Sequence, residues 1–219
     1  MKIAGFKKQS LIDYPGNISS VVFTQGCNFR CDYCHNPSLV LPEKFGSCHK
    51  EEELFTYWHK YQHLLDAVCI TGGEPCIHKE LPDFISRIKQ LGLKIKLDTN
   101  GTNPDMLRYL LSKDLIDSVA MDIKHILNIE YYNKSVGQLL TQQNFNHILK
   151  SIKLIEESGI EYEFRTTVAK GLHTIEQVKS LRNQFNSAYN IQNFKPDITL
   201  NEDHHYQAWT SAELEEMCQ

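Results

Sequence analysis

The feature that most limits the fold is an alternation. Apolar runs of strand length, at 19–24, 67–71, 94–98, 118–122, 161–168 and 191–194, take turns with longer segments whose apolar residues recur at helical spacing. Leu81, Phe84, Ile85, Ile88 and Leu91 share one helical face, and Phe145, Ile148, Leu149, Ile152 and Ile155 a second. Ile175, Val178, Leu181 and Phe185 form a third, and Leu54, Trp58, Tyr61 and Leu65 a fourth. The fourth opens on Glu51-Glu52-Glu53, negative charge that suits the positive end of a helix dipole. A shorter helix carrying Met106, Leu107, Leu110 and Leu111 has Pro104 near its start, where no amide hydrogen is needed.

Strands and helices in strict succession imply right-handed βαβ units and a parallel sheet. About six units are present, whereas a closed barrel takes eight and typically ~250 residues. The expected fold is therefore α/β, an incomplete, open parallel β/α barrel. Asp13-Tyr14-Pro15-Gly16 reads as a type II turn, with Pro presetting φ and Gly taking a positive one. Residues 1–16 are thus expected to form a short N-terminal hairpin across a core of about 17–196, with 197–219 as a tail. At 219 residues the whole chain reads as a single domain.

Composition narrows the function. The net charge is −4, with no Lys/Arg run to make a nucleic-acid face. No window approaches the ~18 uninterrupted apolar residues of a membrane helix. The opening Met-Lys-Ile-Ala-Gly-Phe-Lys-Lys has no secretory h-region, so a cytoplasmic location is expected. Seven cysteines is an odd number, and three of them fall within eight residues. In a reducing compartment such clustering points to metal binding or chemistry rather than to disulfides. Cys69, inside Ala67-Val68-Cys69-Ile70, reads as a small core hydrophobe.

The cluster Gln25-Gly26-Cys27-Asn28-Phe29-Arg30-Cys31-Asp32-Tyr33-Cys34-His35-Asn36 directly follows the first of the six strands. It therefore lies at the carboxyl end of the sheet, where α/β proteins build their sites. Four thiolates close an electron-transfer cluster; three leave one iron with an open position for a substrate. The alternatives are a zinc site completed by His35, or free thiols with no shared role. Structural zinc usually draws its ligand pairs from two separated segments, and here all four would crowd one loop.

Cys-x-x-x-Cys-x-x-Cys with an aromatic residue before the last Cys resembles the signature of the radical S-adenosylmethionine superfamily. The stretch from Gly5-Phe6-Lys7-Lys8-Gln9-Ser10-Leu11-Ile12-Asp13-Tyr14-Pro15-Gly16 through Phe23-Thr24-Gln25-Gly26-Cys27 to Cys34-His35-Asn36-Pro37 is more specific. It is similar to the activating enzymes of glycyl radical enzymes, particularly those acting on anaerobic ribonucleoside-triphosphate reductase, and the similarity runs to about residue 196. It implies a 4Fe–4S cluster on Cys27, Cys31 and Cys34 with one iron open. It further implies S-adenosylmethionine as cofactor, flavodoxin or ferredoxin as electron donor, and a glycyl radical enzyme as protein substrate. Only Cys48 and the strand residue Cys69 lie between Cys34 and Gly72, too few thiols for additional clusters, so a minimal single-cluster member is expected.

Three further segments are candidates for holding the cofactor. In Thr71-Gly72-Gly73-Glu74-Pro75, Gly72 and Gly73 allow close backbone approach to a ligand and Glu74 offers an acceptor for an ammonium. Alone the pair could be a tight strand-to-helix turn; the resemblance assigns the segment to the amino group of the methionine moiety. Asp98-Thr99 and Asp122-Ile123-Lys124 end the next two strands. Asp there is either a helix N-cap or a site residue. The resemblance places Asp98, Thr99 and Asp122 near the methionine moiety, with a monovalent cation on the two Asp and Lys124 positioning the reacting groups. Arg165, within a strand, needs an anionic partner: a methionine carboxylate, or a barrel salt bridge such as one to Asp122. Tyr33 is set against adenine or against the core. His35, Cys48 and Cys76 have no assignment, and His204 and His205 read as solvated. Two rival functions are a radical enzyme acting on a small molecule or nucleobase, and a non-enzymatic iron–sulfur or zinc module.

Overall fold

The computed structural model describes residues 1–201, 203 and 205–218. Its seven strands are β1 (Ile3–Ser10), β2 (Ser19–Thr24), β3 (Ala67–Gly72), β4 (Lys94–Thr99), β5 (Ser118–Asp122), β6 (Glu161–Val168) and β7 (Tyr189–Asn193). They lie side by side in chain order. Every pair from β2 to β7 is parallel, and only β1 runs antiparallel, to β2. β1 and β7 are the two edges and do not pair with each other, so the barrel is open, as the strand count requires.

Among the described residues eight α-helices connect and cover the strands: α1 (Pro37–Val40), α2 (Glu51–Tyr61), α3 (Leu81–Lys89), α4 (Pro104–Ser112), α5 (Ile129–Val136), α6 (Gln142–Glu156), α7 (Ile175–Phe185) and α8 (Ser211–Cys218). Local chemistry explains several of their starts. Asn103 caps α4 by accepting from the Met106 amide, with Pro104 in the first turn. Thr174 and Gln177 form a reciprocal capping box on α7. Trp58, Phe84, Ile85, Ile88, Ile148 and Ile155 are buried, as their spacing predicts. Leu149 departs from its expected face and is exposed, because it lies at the margin of the apolar stripe of α6.

Side chains along a strand alternate between faces, and here the alternation sorts them by polarity. Val68, Ile70, Ile95, Leu97, Val119, Met121 and Phe164 join the apolar core with the helices. On the other face the register places Ala120 beside both Asp98 and Glu163, and Asp122 beside Arg165. The barrel interior is therefore charged.

The N-terminal segment differs in detail from the expected hairpin. The turn forms, with Asn17 N donating to Tyr14 O at 3.0 Å and Gly16 at φ 77°. Its second arm, however, is β2, so β1 extends the sheet instead of lying across it. The connecting loop instead closes the amino end of the barrel, where Lys96 Nζ donates to Asp13 O at 2.8 Å. The C-terminal tail is also built in. Asn193 bonds the backbone of Trp209 in both directions, Lys170 pairs with Glu213, and Met217 is fully buried. These few apolar anchors are too widely spaced to register as a pattern. His205 is exposed, as expected, while His204 lies outside the described residues. Among the described residues no helix is long and apolar enough to cross a membrane.

Candidate functional site

The connections leaving the carboxyl ends of β2 to β7 enclose a cavity of about 220 Å³. Cys27, Cys31, Cys34 and Tyr33 line one side; Gly72, Gly73, Glu74, Asp98, Thr99, Asp122 and Lys124 line the rest. Every candidate named from the sequence reaches this wall except Arg165.

The cysteine loop is wound around one arginine. Arg30 Nη1 donates to the carbonyls of Cys27 and Phe29, both at 2.7 Å, and Phe29 N donates to Cys27 Sγ at 3.4 Å. Burial pushes the Cys27 thiol up to about 11 and the Cys31 thiol up to about 12, so a metal must displace protons from both. Among the described residues no three His, Cys, Asp or Glu side chains converge as they would around one ion. The ring of His35 is engaged elsewhere, stacked on Phe194 at 5.6 Å with Nδ1 3.2 Å from Ile198 O. A single zinc ion on the three thiols and His35 would need these groups rearranged. Thiols set apart along one side of a cavity suit a polynuclear cluster, which its ligands hold through different irons.

Gly72 and Gly73 act on protein before any ligand. A Cβ on Gly72, at φ 115°, would collide with the Thr24 backbone, and one on Gly73 with the Gly26 carbonyl. Their absence lets Gly73 N donate to Thr24 O and Glu74 N to Gly26 O, at 2.9 and 2.8 Å. The glycine turn is thereby stapled to the root of the cysteine loop. Glu74, 1% exposed, accepts from Cys76 N and Thr99 Oγ1 at Oε1, and from Asn100 N at Oε2. Burial raises it above the ordinary carboxylate range, against the pull of these donors. It braces the β3 and β4 ends together, and Oε2, with a single donor, keeps acceptor capacity.

A line of paired charges runs below the cavity. Arg165 donates from Nε and Nη2 to Asp122 Oδ1 at 3.1 and 3.0 Å and reaches Asp98 at 3.2 Å. Of its two readings the structure thus contains the internal salt bridge. Lys124 Nζ sits 3.0 Å from Asp122 Oδ2. Burial works to raise Asp122, but Lys124 and Arg165 override it and hold the carboxylate at about 2. Burial likewise opposes the Lys124 ammonium, yet Asp122 keeps it well above the ordinary lysine value. Lys96 Nζ lies 3.7 Å from Asp98 and 3.2 Å from Glu163.

Several wall residues escaped the sequence reading. Thr167 and Gln192 sit side by side in the β6–β7 register and complete the wall. Two-residue alternation from Arg165 would have pointed to Thr167. Asn100 ties the wall to the cysteine loop through Nδ2 to Asn28 Oδ1 at 2.8 Å. Behind Lys124, His173 Nε2 lies 3.1 Å from the Lys124 carbonyl, and its ring stacks on His125 at 4.6 Å. No sequence signal marked this pair, because its function is to hold backbone. Cys76 is buried beside Glu74. Cys48 is exposed, with Sγ 3.5 Å from Gln25 Oε1.

Known proteins resemble this chain over most of its length. The family model described as the radical SAM superfamily matches residues 21–183. A protein of Methanocaldococcus jannaschii described by name as a glycyl-radical enzyme activating enzyme is 34% identical over 206 residues, 92% of this chain and 83% of that one. The pyruvate formate-lyase-activating enzyme of Clostridium pasteurianum is 28% identical over 197 residues, 87% of this chain and 79% of its own length. Among solved structures, Streptococcus suis SuiB bound to S-adenosylmethionine shares the fold with a TM-score of 0.68 at 15% identity, covering 89% of this chain and 44% of that one. With three thiols set opposite a Gly-Gly-Glu turn, and a matching family model over most of its length, the chain belongs to the radical S-adenosylmethionine superfamily, among the activating enzymes of glycyl radical enzymes.

Proposed function

We propose that this protein installs the glycyl radical of anaerobic ribonucleoside-triphosphate reductase, with Cys27, Cys31 and Cys34 holding a 4Fe–4S cluster and the opposite wall holding S-adenosylmethionine. The observation that carries the chemistry is the meeting of three thiols, and only three, with the Gly72-Gly73-Glu74 turn across one cavity. When bound, the cluster and cofactor supply reductive cleavage of a carbon–sulfur bond and a 5′-deoxyadenosyl radical. The protein's own residues bind, orient and exclude water. Glu74 Oε2 takes the cofactor's ammonium, and the Lys124 ammonium, fixed by Asp122, offers a cation to its carboxylate. Tyr33, on the cysteine side of the cavity, would offer its ring to the adenine. Asp98, Thr99 and Asp122 line the methionine end. Arg165 acts on the cofactor through the two Asp it holds.

A monovalent cation between Asp98 and Asp122 would compete with Arg165, Lys96 and Lys124, already 3.0–3.7 Å from these carboxylates. Cleavage that varies among potassium, sodium and lithium would establish that ion, and indifference would remove it. The electron donor is a flavodoxin or ferredoxin of the same compartment, which is cytoplasmic.

A protein substrate suits the size of the cavity. At about 220 Å³ it would be taken up by the cluster and the cofactor alone. Once cluster and cofactor are in place, a second reactant must be presented from outside. The test combines reduced, reconstituted protein with S-adenosylmethionine and an anaerobic ribonucleoside-triphosphate reductase. A stable organic radical should form whose doublet collapses when the glycine carries α-deuterium. A radical on pyruvate formate-lyase alone would change the partner. Cofactor turnover without a radical on either would assign the chain to a small-molecule reaction.

A further inference from the structure

Lys124 lies just beyond the end of β5, and two buried side chains take its backbone groups. Its amide donates to the Tyr132 hydroxyl at 3.1 Å, and His173 Nε2 lies 3.1 Å from its carbonyl. With Nζ 3.0 Å from Asp122 Oδ2, the residue is held at both backbone groups and at its tip. A lysine stem is flexible, so the ion pair alone would tolerate many backbone positions. Tyr132 belongs to α5, and the far end of that helix is fastened to the cysteine loop. Val136 O accepts from Arg30 N at 2.9 Å, and Gln138 Nε2 donates to Asn28 O at 2.7 Å. Between these contacts Gly137, at φ 65°, ends the helix, and a Cβ there would collide with the Arg30 carbonyl. Four helical steps, about 6 Å of rise, separate Tyr132 from Val136. So short a helix is a stiff spacer.

We infer that Tyr132 and His173 are positioning residues: they clamp the Lys124 backbone, and α5 sets that lysine at a fixed place relative to the three thiols. The inference rests on the reading above in which Lys124 offers its charge to the carboxylate of S-adenosylmethionine. Packing explains the Tyr132 ring, which is fully buried and meets Phe145 edge-on at 5.6 Å. It does not explain why a hydroxyl and an imidazole from different elements converge on the two backbone groups of one cavity lysine. Neither residue lines the cavity, so each acts through Lys124. The His173 ring is itself fixed, since Nδ1 accepts from Ala169 N at 3.2 Å and its face stacks on His125. Presetting the span from thiols to lysine matters because a misplacement of about 1 Å can cost roughly a hundredfold in rate.

A double-mutant cycle on the reconstituted protein tests this, with S-adenosylmethionine affinity, iron content and Tm as readouts. Lys124→Met should weaken cofactor binding by about tenfold or more, the scale of a hydrogen bond between charged groups. Tyr132→Phe, which keeps the ring, should weaken it by about fivefold with iron retained. On the Lys124→Met background the same change should cost less than about twofold, because a residue that acts through another loses its effect when that other is gone. His173→Leu should behave as Tyr132→Phe does, while His173→Gln, which keeps a donor for the Lys124 carbonyl, should restore binding. If Tyr132→Phe does not fold, the His173 pair decides the clamp alone. Gly137→Ala tests the spacer from its cysteine end: its effect should be shared with that of Tyr132→Phe, and effects that simply multiply overturn the spacer. A fall in Tm with affinity unchanged in Tyr132→Phe and His173→Leu, or a loss that persists in full without Lys124, overturns the clamp and leaves the reading of Lys124 intact. Unchanged affinity in Lys124→Met overturns both.

Discussion

The two ends of this barrel are built from similar residues and finished differently. At the amino end Lys96, 4% exposed, is satisfied by Asp13 O, Glu163 and Asp98, and the Tyr14 hydroxyl meets Glu161 at 3.4 Å. At the carboxyl end two thiols are driven toward 11 and 12 by burial, and the buried Tyr33 hydroxyl has no partner among the described residues. Burying polar groups unsatisfied is costly. An end that tolerates it is shaped for something that arrives later, and an end that avoids it is structural. Charge alone therefore does not mark a site; incomplete satisfaction on the wall of a cavity does.

The sharpest break between the ends should come from cysteine. Cys31→Ala should abolish iron binding and cofactor cleavage altogether, since a cluster left with two thiolates loses an anchor. Cys69→Ala, equally buried and 3.9 Å from Asp98, should retain both. Iron analysis and visible absorption after anaerobic reconstitution distinguish them. Loss of iron in Cys69→Ala would join the lower barrel to the site.

At the floor, Lys96→Met removes the cation and leaves Asp98 and Glu163 in the barrel interior without it. Breaking a buried pair in this way costs about 3–5 kcal/mol. For a chain of this size that is a fall in Tm of roughly 10 °C, and iron content should be unchanged. Intact stability with lost cofactor binding would show that the floor belongs to the site.

Behind the site, His173 should make stability depend on pH. Its Nδ1 accepts from Ala169 N at 3.2 Å, so Nε2 carries the proton donated to the Lys124 carbonyl, and no lone pair remains. Burial first, then the neighbouring His125, lower it from 6.5 to about 4. Between those values the unfolded chain binds the proton that the folded chain refuses, so stability falls as pH drops from 6.5 toward 4. The loss approaches about 3 kcal/mol. Asp122, held at about 2, contributes below that window. Urea titrations at pH 7, 5.5 and 4.5 should follow this slope, and His173→Gln, which keeps a donor and an acceptor without titrating, should flatten it.

Much of this architecture was legible because it repeats. Six apolar runs with intervening helical faces fix an open barrel. The cysteine spacing and the strand-end motifs locate the cavity wall. What did not show is what depends on pairing across the fold. Arg165 carries the same residue identity whether its fork meets a ligand or Asp122, and it is the β5–β6 register that brings Asp122 within its reach. The glycine pair lines the cavity, but that it also seats against the root of the cysteine loop shows only in the fold. The C-terminal segment buries Met217 through anchors too sparse to form a period. α5 (Ile129–Val136) was missed because its start is set by one residue, Asn128, accepting from the Glu130 and Tyr131 amides.

The smallest expected effect is the finest test of the contrast between the ends. Of the buried side-chain polar atoms without a partner among the described residues, only the Tyr33 hydroxyl belongs to a residue on the cavity wall. An unsatisfied hydroxyl in a buried site destabilises, whereas one that finds a partner contributes about 0.5–1.5 kcal/mol net. Tyr33→Phe removes the oxygen and keeps the ring. The cofactor-free protein should therefore become slightly more stable, by about 1 kcal/mol, whether or not Tyr33 ever touches a ligand. S-adenosylmethionine affinity then separates the two cases. If the hydroxyl is satisfied by what fills the cavity, binding should weaken by up to roughly tenfold, the equivalent of one hydrogen bond. If the ring alone serves, as a face for adenine or as core, binding should hold or tighten. A gain in stability paired with a loss in affinity would make Tyr33 a group left open for its ligand. A loss of stability would mean that the hydroxyl already has a partner, and the contrast between the two ends would then rest on the thiols alone.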